Sequence, residues 1–276
     1  METKTKKFKR DILNWYKDNK REFSWRETNN PWEILLLETI SQQTQLDRAD
    51  VYYKLFIEKF PNPAAMASSS LKKILTLWSG LGYNNRAKRL YDSSKILSET
   101  GFDELYPNFE VLPGVGPYTN NAILSFAYNE KVITRDINVD RVFSRYFGLN
   151  DVKRFVHNNK KHLLNRVSSR DLNQAIMDFG SLVCKSKNPL CSTCVLEENC
   201  EKNIVKIKKP QEAFSGSNRE LRGALLKLLL NETVTSLETI QKNLKTDKVK
   251  LLKAVSTLEK DGLIKIKKNN LVEINS

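Results

Sequence analysis

Apolar positions recur at helical spacing along most of the chain. Phe8, Ile12, Trp15 and Tyr16 fall on one face of residues Phe8 to Asn19, which predicts an amphipathic helix. Pro31 stands where a helix can open. From Trp32, the run WEILLLETISQQTQLDRADVYYKLFIEKF predicts a long, strongly apolar helical stretch, broken near Gln42-Gln43. Leu112-Pro113-Gly114-Val115-Gly116-Pro117-Tyr118-Thr119 reads as a tight turn feeding a helix that carries Ala122, Ile123, Phe126 and Ala127. Arg141 to Phe147 is read as another helix, and Leu163 to Val183 as further helical material. Periodicity is lost from Ile204 to Ser217, where Lys, Pro, Gly and Ser gather, so 204–217 is read as a linker. Beyond it, Asn218 opens a helix through Leu230, Ser236 caps a second through Leu244, and Asp247 starts a third through Leu258. Gly262 to Lys267 and Leu271 to Ile274 then predict a hairpin turning at Asn269-Asn270.

Composition narrows the class. The 276 residues suffice for two or three domains, and 40% hydrophobic with 28% charged residues are values of a soluble globular chain. The formal net charge of +14 is unusual and predicts a polyanionic partner, nucleic acid before membrane surface. The basic start METKTKKFKR is not followed by an apolar run, which argues against a secretory signal, and no stretch approaches transmembrane length. A cytoplasmic or nucleoid location is expected. All four cysteines lie between Cys184 and Cys200, which argues against a disulfide framework spread over the chain. His157 and His162 lack a spacing suited to ligation and are expected at the surface or in packing.

Three local features carry chemistry. At Gly114 and Gly116, the turn before a helix leaves backbone N–H groups at the positive end of the helix dipole, and glycine admits a close-approaching phosphodiester. Asp136 follows that helix, with Asn138 and Arg141 close behind it. Glu38 sits among Ile34, Leu35, Leu36, Leu37 and Ile40, where it either faces water or turns inward. An inward carboxyl would be held protonated by desolvation, as a general acid requires. Cys184, Cys191, Cys194 and Cys200 supply four soft thiolates, which suit either an iron–sulfur cluster or tetrahedral zinc.

A hairpin that grips a DNA backbone, with a carboxylate just beyond, resembles the helix-hairpin-helix DNA glycosylase superfamily. The segment from Glu38 to Gln45, ETISQQTQ, resembles its MutY-type adenine glycosylase branch, in which the matching Glu is the catalytic acid and the residues at Gln42 and Gln43 probe the helix around an extruded base. Trp25-Arg26 also fits that branch, with Arg26 near the target base. LWSGLGYNNRA, from Leu77 to Ala87, matches a further segment containing Tyr83 and Arg86. Asn84 replaces the second aromatic of that segment, the one that wedges beside the orphaned 8-oxoguanine, so the opposing base stays open. NQAIMDFG places Asp178 where the family has an acid near the base pocket; a solvent-facing Asp is the alternative. The cysteine spacing matches the cluster loop of endonuclease III and MutY, which implies a [4Fe–4S] cofactor, with Lys185 and Lys187 as phosphate contacts on a metal-fixed loop.

The resemblance covers about residues 8–203. It implies an all-α helix-hairpin-helix glycosylase core: an iron–sulfur cluster domain from residues 1–31 and 137–203, and a six-helix barrel domain over 32–136. Residues 218–276 resemble a winged helix-turn-helix, a small α/β unit with Lys248, Lys250 and Lys253 on its third helix and Lys265, Lys267 and Lys268 on its hairpin. A protein-interaction domain with a basic face is the alternative there. The implied catalytic set is Glu38, Asp136, Tyr118 and Asn138. Tyr118 stands where bifunctional relatives carry a Schiff-base lysine, so the expected enzyme is a monofunctional, monomeric N-glycosylase acting on double-stranded DNA that contains a mismatch or damaged base. Adenine opposite guanine or 8-oxoguanine is the first substrate, and uracil or thymine opposite guanine the runner-up. A redox-responsive DNA-binding regulator is a third reading, which leaves the Glu38 and Asp136 motifs unexplained.

Overall fold

A computed structural model describes residues 2–203, 213–232 and 234–275. Residues 204–212 of the expected linker lie outside the described residues. The helices and strands in chain order are α1 (Glu2–Asn19), α2 (Pro31–Ser41), α3 (Leu46–Lys59), α4 (Pro63–Ala67), α5 (Leu71–Trp78), α6 (Asn85–Leu105), α7 (Pro117–Phe126), α8 (Ile137–Phe147), α9 (Val152–Leu164), α10 (Ser169–Leu182), α11 (Asn218–Asn231), β1 (Thr235–Ser236), α12 (Leu237–Leu244), α13 (Lys248–Lys260), β2 (Ile264–Lys267) and β3 (Leu271–Ile274). They fall into two units, Met1–Leu35 with Val115–Lys209 and Leu36–Gly114 with Pro210–Ser276.

In the first unit, α1 packs on α9 and α10, while α10 also meets α7 and α8. Phe8 inserts its ring among Phe143, Tyr146 and Phe147, with centroids 5.5, 5.0 and 5.3 Å away. Such aromatic clusters contribute beyond the area they bury. Helix α1 starts at Glu2 rather than Phe8. Its added turn carries no apolar stripe; instead Thr5 is buried, and Lys4 and Lys7 reach Glu201 and Glu198. Lys9 donates to the carbonyls of His162 and Asn165 at 2.6 and 2.9 Å. Two further boundaries differ from the sequence reading. Helix α8 begins at Ile137 rather than Arg141 because Asp136 caps it, and the span read as helical from Leu163 to Val183 holds only the end of α9, which Asp151 caps at Val152, followed by α10, which Ser168 caps through the Asp171 N–H. His157 and His162 are exposed on α9.

In the second unit, α4 and α5 pack on α6, and Trp78 meets Phe56 edge-on at 5.6 Å. The predicted break after α2 falls at Gln42 to Gln45, with Gln43 in a left-handed conformation (φ 59°). After the linker, α11 packs on α12 and α13 over a core that includes Leu225, Leu229, Ile240, Leu251, Leu258 and Val272. Ser236 and Asp247 cap α12 and α13 as expected, and Asn269 and Asn270 turn the hairpin at positive φ. Strand β1 was not foreseen: two residues are too few to show alternation. It pairs antiparallel with β3, giving a sheet ordered β1-β3-β2 with Thr235 opposite Val272. Lys265 and Lys267 both pair with Glu273, which neutralises part of the basic hairpin, while Lys248, Lys250 and Lys253 are exposed on α13.

Candidate active site

Asp136 lies at the start of α8 in the first unit. Its Oδ1 accepts from the N–H groups of Asn138 and Val139 at 2.9 and 2.7 Å, and its Oδ2 from Asn138 Nδ2 at 2.8 Å. A carboxylate at a helix N-terminus satisfies donors that the helix cannot, and the helix dipole favours its anion. Burial pushes its pKa above the ordinary value, against these hydrogen bonds and the nearby Arg141 guanidinium. Asn138 is itself held, because Arg141 Nη2 donates to Asn138 Oδ1 at 2.7 Å and to the Gly180 carbonyl at 2.6 Å. Gly180 is required there. A Cβ on it would lie 2.7 Å from Asn138 Cβ. Sequence reading missed this glycine, since its need arises from a helix crossing and not from its own backbone angles.

Tyr118 occupies the first turn of α7, half-buried, after Pro117 at the opening position. Gly116 has an extended backbone, and nothing stands within 4 Å of where its Cβ would be. Its space is open to an approaching backbone. Gly114, in the second unit, has φ +85° and lies against Arg89, so it serves the turn itself.

Asp178 is 1% exposed, which excludes the solvent-facing alternative. Its Oδ1 accepts from Arg21 Nη2 at 2.6 Å and its Oδ2 from Arg26 Nη2 at 2.9 Å, so Arg26 and Asp178 form one buried ion pair shared with Arg21. Arg170 donates to the carbonyls of Arg26 and Thr28. Trp25 is buried and stacks on Phe23 with centroids 4.5 Å apart. The Trp25-Arg26 loop is thus held in place by three charged residues far away in sequence or on its own flank, and Asp178 acts on it as a brace. Neither Arg21 nor Arg170 carries a sequence signal.

The four cysteines line one cavity of about 360 Å³. Burial and the neighbouring thiols Cys184, Cys200 and Cys191 push Cys194 up to about 11. Thiols gathered this way become thiolates only against strong positive charge, which bound metal supplies. Four soft donors fit an iron–sulfur cluster by their chemistry. The same four donors also suit tetrahedral zinc. Arg145 holds the loop, with Nη1 on the Lys185 carbonyl at 2.6 Å and Nη2 on that of Ser186 at 3.1 Å. Lys185 and Lys187 are left exposed.

In the second unit, Glu38 is 6% exposed, which decides the alternative left open by its apolar neighbours: the carboxyl turns inward. Three residues on, α2 ends. Arg86 caps that end, with Nη1 donating to the carbonyls of Thr39 and Ile40 at 2.9 and 3.0 Å and to that of Gln42. Its Nη2 donates to Leu81 and Gly82 carbonyls at 3.3 and 3.1 Å. Arg86 is buried, and desolvation lowers its pKa to about 10. Through these bonds Arg86 positions the Gln42-Gln43 break against the Gly82-Tyr83 loop. Gln42 is half-buried and Gln43 exposed there.

Residues 37–166 match the HhH-GPD superfamily of base excision DNA repair proteins. The chain is 36% identical over 206 residues to an adenine DNA glycosylase of Buchnera aphidicola subsp. Baizongia pistaciae, covering 70% of this chain and 58% of that protein. It is 32% identical over 234 residues to an adenine DNA glycosylase of Mycobacterium tuberculosis, covering 79% and 77%. A solved thermostable thymine-DNA glycosylase superposes with a TM-score of 0.67 at 27% identity, covering 72% of this chain and 96% of that one. The chain spans about three fifths of the length of the Buchnera relatives, 58 to 62%.

Proposed function

The chain belongs to the HhH-GPD superfamily of base excision DNA repair proteins, and from that membership we propose that it is a monofunctional DNA N-glycosylase removing adenine mispaired with guanine or 8-oxoguanine. The observation that carries the reading is the inward Glu38 within ETISQQTQ, in a chain 32% identical to an adenine DNA glycosylase over most of both lengths. The target base is extruded because its glycosidic bond cannot be reached inside the stack, and extrusion costs least at a mismatch. Glu38 protonates the departing purine. Asp136, as the anion, faces the oxocarbenium-like sugar, with Asn138 keeping its carboxylate aimed. Two carboxyl groups kept in different protonation states is glycosidase logic applied to an N-glycosidic bond. A phenol at Tyr118 cannot form an imine with the sugar, so water completes the hydrolysis and the strand stays intact.

Cys184, Cys191, Cys194 and Cys200 would hold a [4Fe–4S] cluster, which ties residues 184–200 into one rigid loop presenting Lys185 and Lys187 to phosphates. The reading assigns 1–31 and 137–203 to the cluster domain, 32–136 to a six-helix barrel, and 218–276 to a winged-helix-like DNA-binding unit. It places a monomer on mismatched duplex DNA in the cytoplasm or nucleoid. Among the described residues no helix is long and apolar enough to cross a membrane.

Base release from duplexes carrying A, T or U opposite G or 8-oxoguanine tests the substrate. Release of adenine with strand breakage appearing only after alkali is the expected result; efficient borohydride trapping on DNA would sink the monofunctional assignment. The solved thymine-DNA glycosylase favours a second reading, thymine or uracil opposite guanine. A pyrimidine anion depends less on protonation, so in that case Glu38→Gln costs much less than Asp136→Asn.

A further inference from the structure

The loop from Ser79 to Asn84 lies in the second unit, and the C-terminal segment is seated on it. Gly80, Gly82 and Tyr83 all have positive φ, at 95°, 70° and 47°. For tyrosine this left-handed conformation is sterically unfavourable. Contacts have to hold it. Tyr52 donates to the Ser79 carbonyl at 2.7 Å, Arg48 to that of Gly80 at 2.8 Å, and Trp78 Nε1 to that of Gly82 at 3.0 Å. These groups, with Arg86, come from the same stretch of chain and grip the loop's backbone. The Tyr83 side chain is held differently: Arg219, in the first turn of α11, donates Nη1–H to the Tyr83 hydroxyl at 2.8 Å, with its guanidinium carbon 5.8 Å from the ring centroid. Arg86 lies 5.7 Å from the same ring.

The contact is part of a docked surface. Helix α11 packs on α5, and the turn after α13 comes so close to α6 that a Cβ on Gly262 would stand 3.4 Å from Lys88 Cε. A cavity of about 690 Å³ remains between loop and helix, bordered by Leu81, Tyr83, Asn84, Phe214, Arg219 and Arg222. An aromatic ring on a glycine-bent loop, flanked by guanidinium groups, is a platform on which any nucleobase can stack. The angle at which that ring meets DNA depends on what holds its hydroxyl.

We propose that Arg219 is a positioning residue for Tyr83, through which the C-terminal segment sets how well the protein tells a mismatched base pair from a matched one. The proposal rests on the DNA glycosylase reading and adds a specificity determinant to it from outside the glycosylase-like core. Arginine suits the role because one planar group can stack on the ring and donate to its hydroxyl, which a lysine ammonium cannot do together.

The test uses the full chain and two duplexes, one with a non-hydrolysable 2′-fluoro-deoxyadenosine opposite guanine and one fully matched. Arg219→Ala, Arg219→Lys, Tyr83→Phe and the Arg219→Ala/Tyr83→Phe double variant are compared by the ratio of the two affinities, with thermal midpoints recorded alongside. Each of Arg219→Ala and Tyr83→Phe is expected to lower the ratio by about tenfold, the size of one hydrogen bond from a charged donor. The double variant falls no further than the singles, and Arg219→Lys recovers only part. Independent, multiplying effects overturn the proposal. So does an equal loss on both duplexes with a shallower salt dependence, which marks a phosphate contact. An unchanged ratio, or a wild type without preference, overturns it as well. If Arg219→Ala lowers the midpoint, Tyr83→Phe, which keeps the ring and removes only the hydroxyl, decides the matter. Failure of the wild type to release any base would instead strike the glycosylase reading and leave this binding comparison standing.

Discussion

Substituting alanine for Gly180 tests how Asp136 is aimed. The new Cβ would lie 2.7 Å from Asn138 Cβ and 3.3 Å from both Asn138 Cα and its carbonyl oxygen. Because backbone atoms of α8 are among the obstacles, no rotamer change relieves the clash, and α8 or α10 has to move. Overpacking of this kind costs about 1–3 kcal/mol, and each kcal/mol lowers the midpoint of a chain of this size by roughly 2–4 °C. The functional cost is separate. Displacing Asn138 removes the 2.8 Å hydrogen bond from its Nδ2 to Asp136 Oδ2 and disturbs the Arg141 bridge to the Gly180 carbonyl. One hydrogen bond to a charged group is worth about 1.5–3 kcal/mol, so the single-turnover rate of base release should fall by roughly 10- to 100-fold. Calorimetry and rapid-quench measurement with enzyme in excess read the two effects. A variant with a lowered midpoint and an unchanged rate would show that Asn138 does not aim the carboxylate. An unchanged midpoint would refute the packing argument itself.

Asp136→Asn should reduce base release by orders of magnitude while mismatch binding survives, because size is kept while the charge facing the cation is lost, together with one of the two acceptor oxygens; equal activity in filter and gel assays would sink the assignment. Burial raises the Asp136 pKa above its ordinary 3.8, so wild-type rates should fall as pH drops through that raised value. The stability contribution runs the other way: it is complete below the ordinary value and is lost as pH rises through the raised one. A pH–rate profile with its acid limb at or below 3.8 contradicts this. Arg86→Lys leaves one ammonium to serve carbonyls on both α2 and the Gly82 loop, and each buried carbonyl left without its donor costs about 1–3 kcal/mol; a midpoint within error of wild type would refute the positioning role. Cys194→Ser should lower iron from about four per chain and weaken DNA binding together, and stoichiometric zinc in colourless wild-type protein would overturn the cluster reading.

What the sequence determined by itself was local. The break at Gln42-Gln43, the caps at Ser236 and Asp247, the hairpin turn at Asn269-Asn270 and the grouping of four thiols each follow from residues a few positions apart. The start of α1 was missed because its first turn is held by Glu198 and Glu201 rather than by an apolar face. Glu38 was legible as a carboxyl in an apolar run, but periodicity on so apolar a helix has no polar side to orient it, and only burial in the fold turned it inward. Asp178 meets Arg26 across 152 positions, Arg86 meets Thr39 across 47, and Arg219 meets Tyr83 across 136. Such pairs have no period and no spacing. They exist because tertiary packing removes water from charged groups, which must then find partners wherever the chain has brought them.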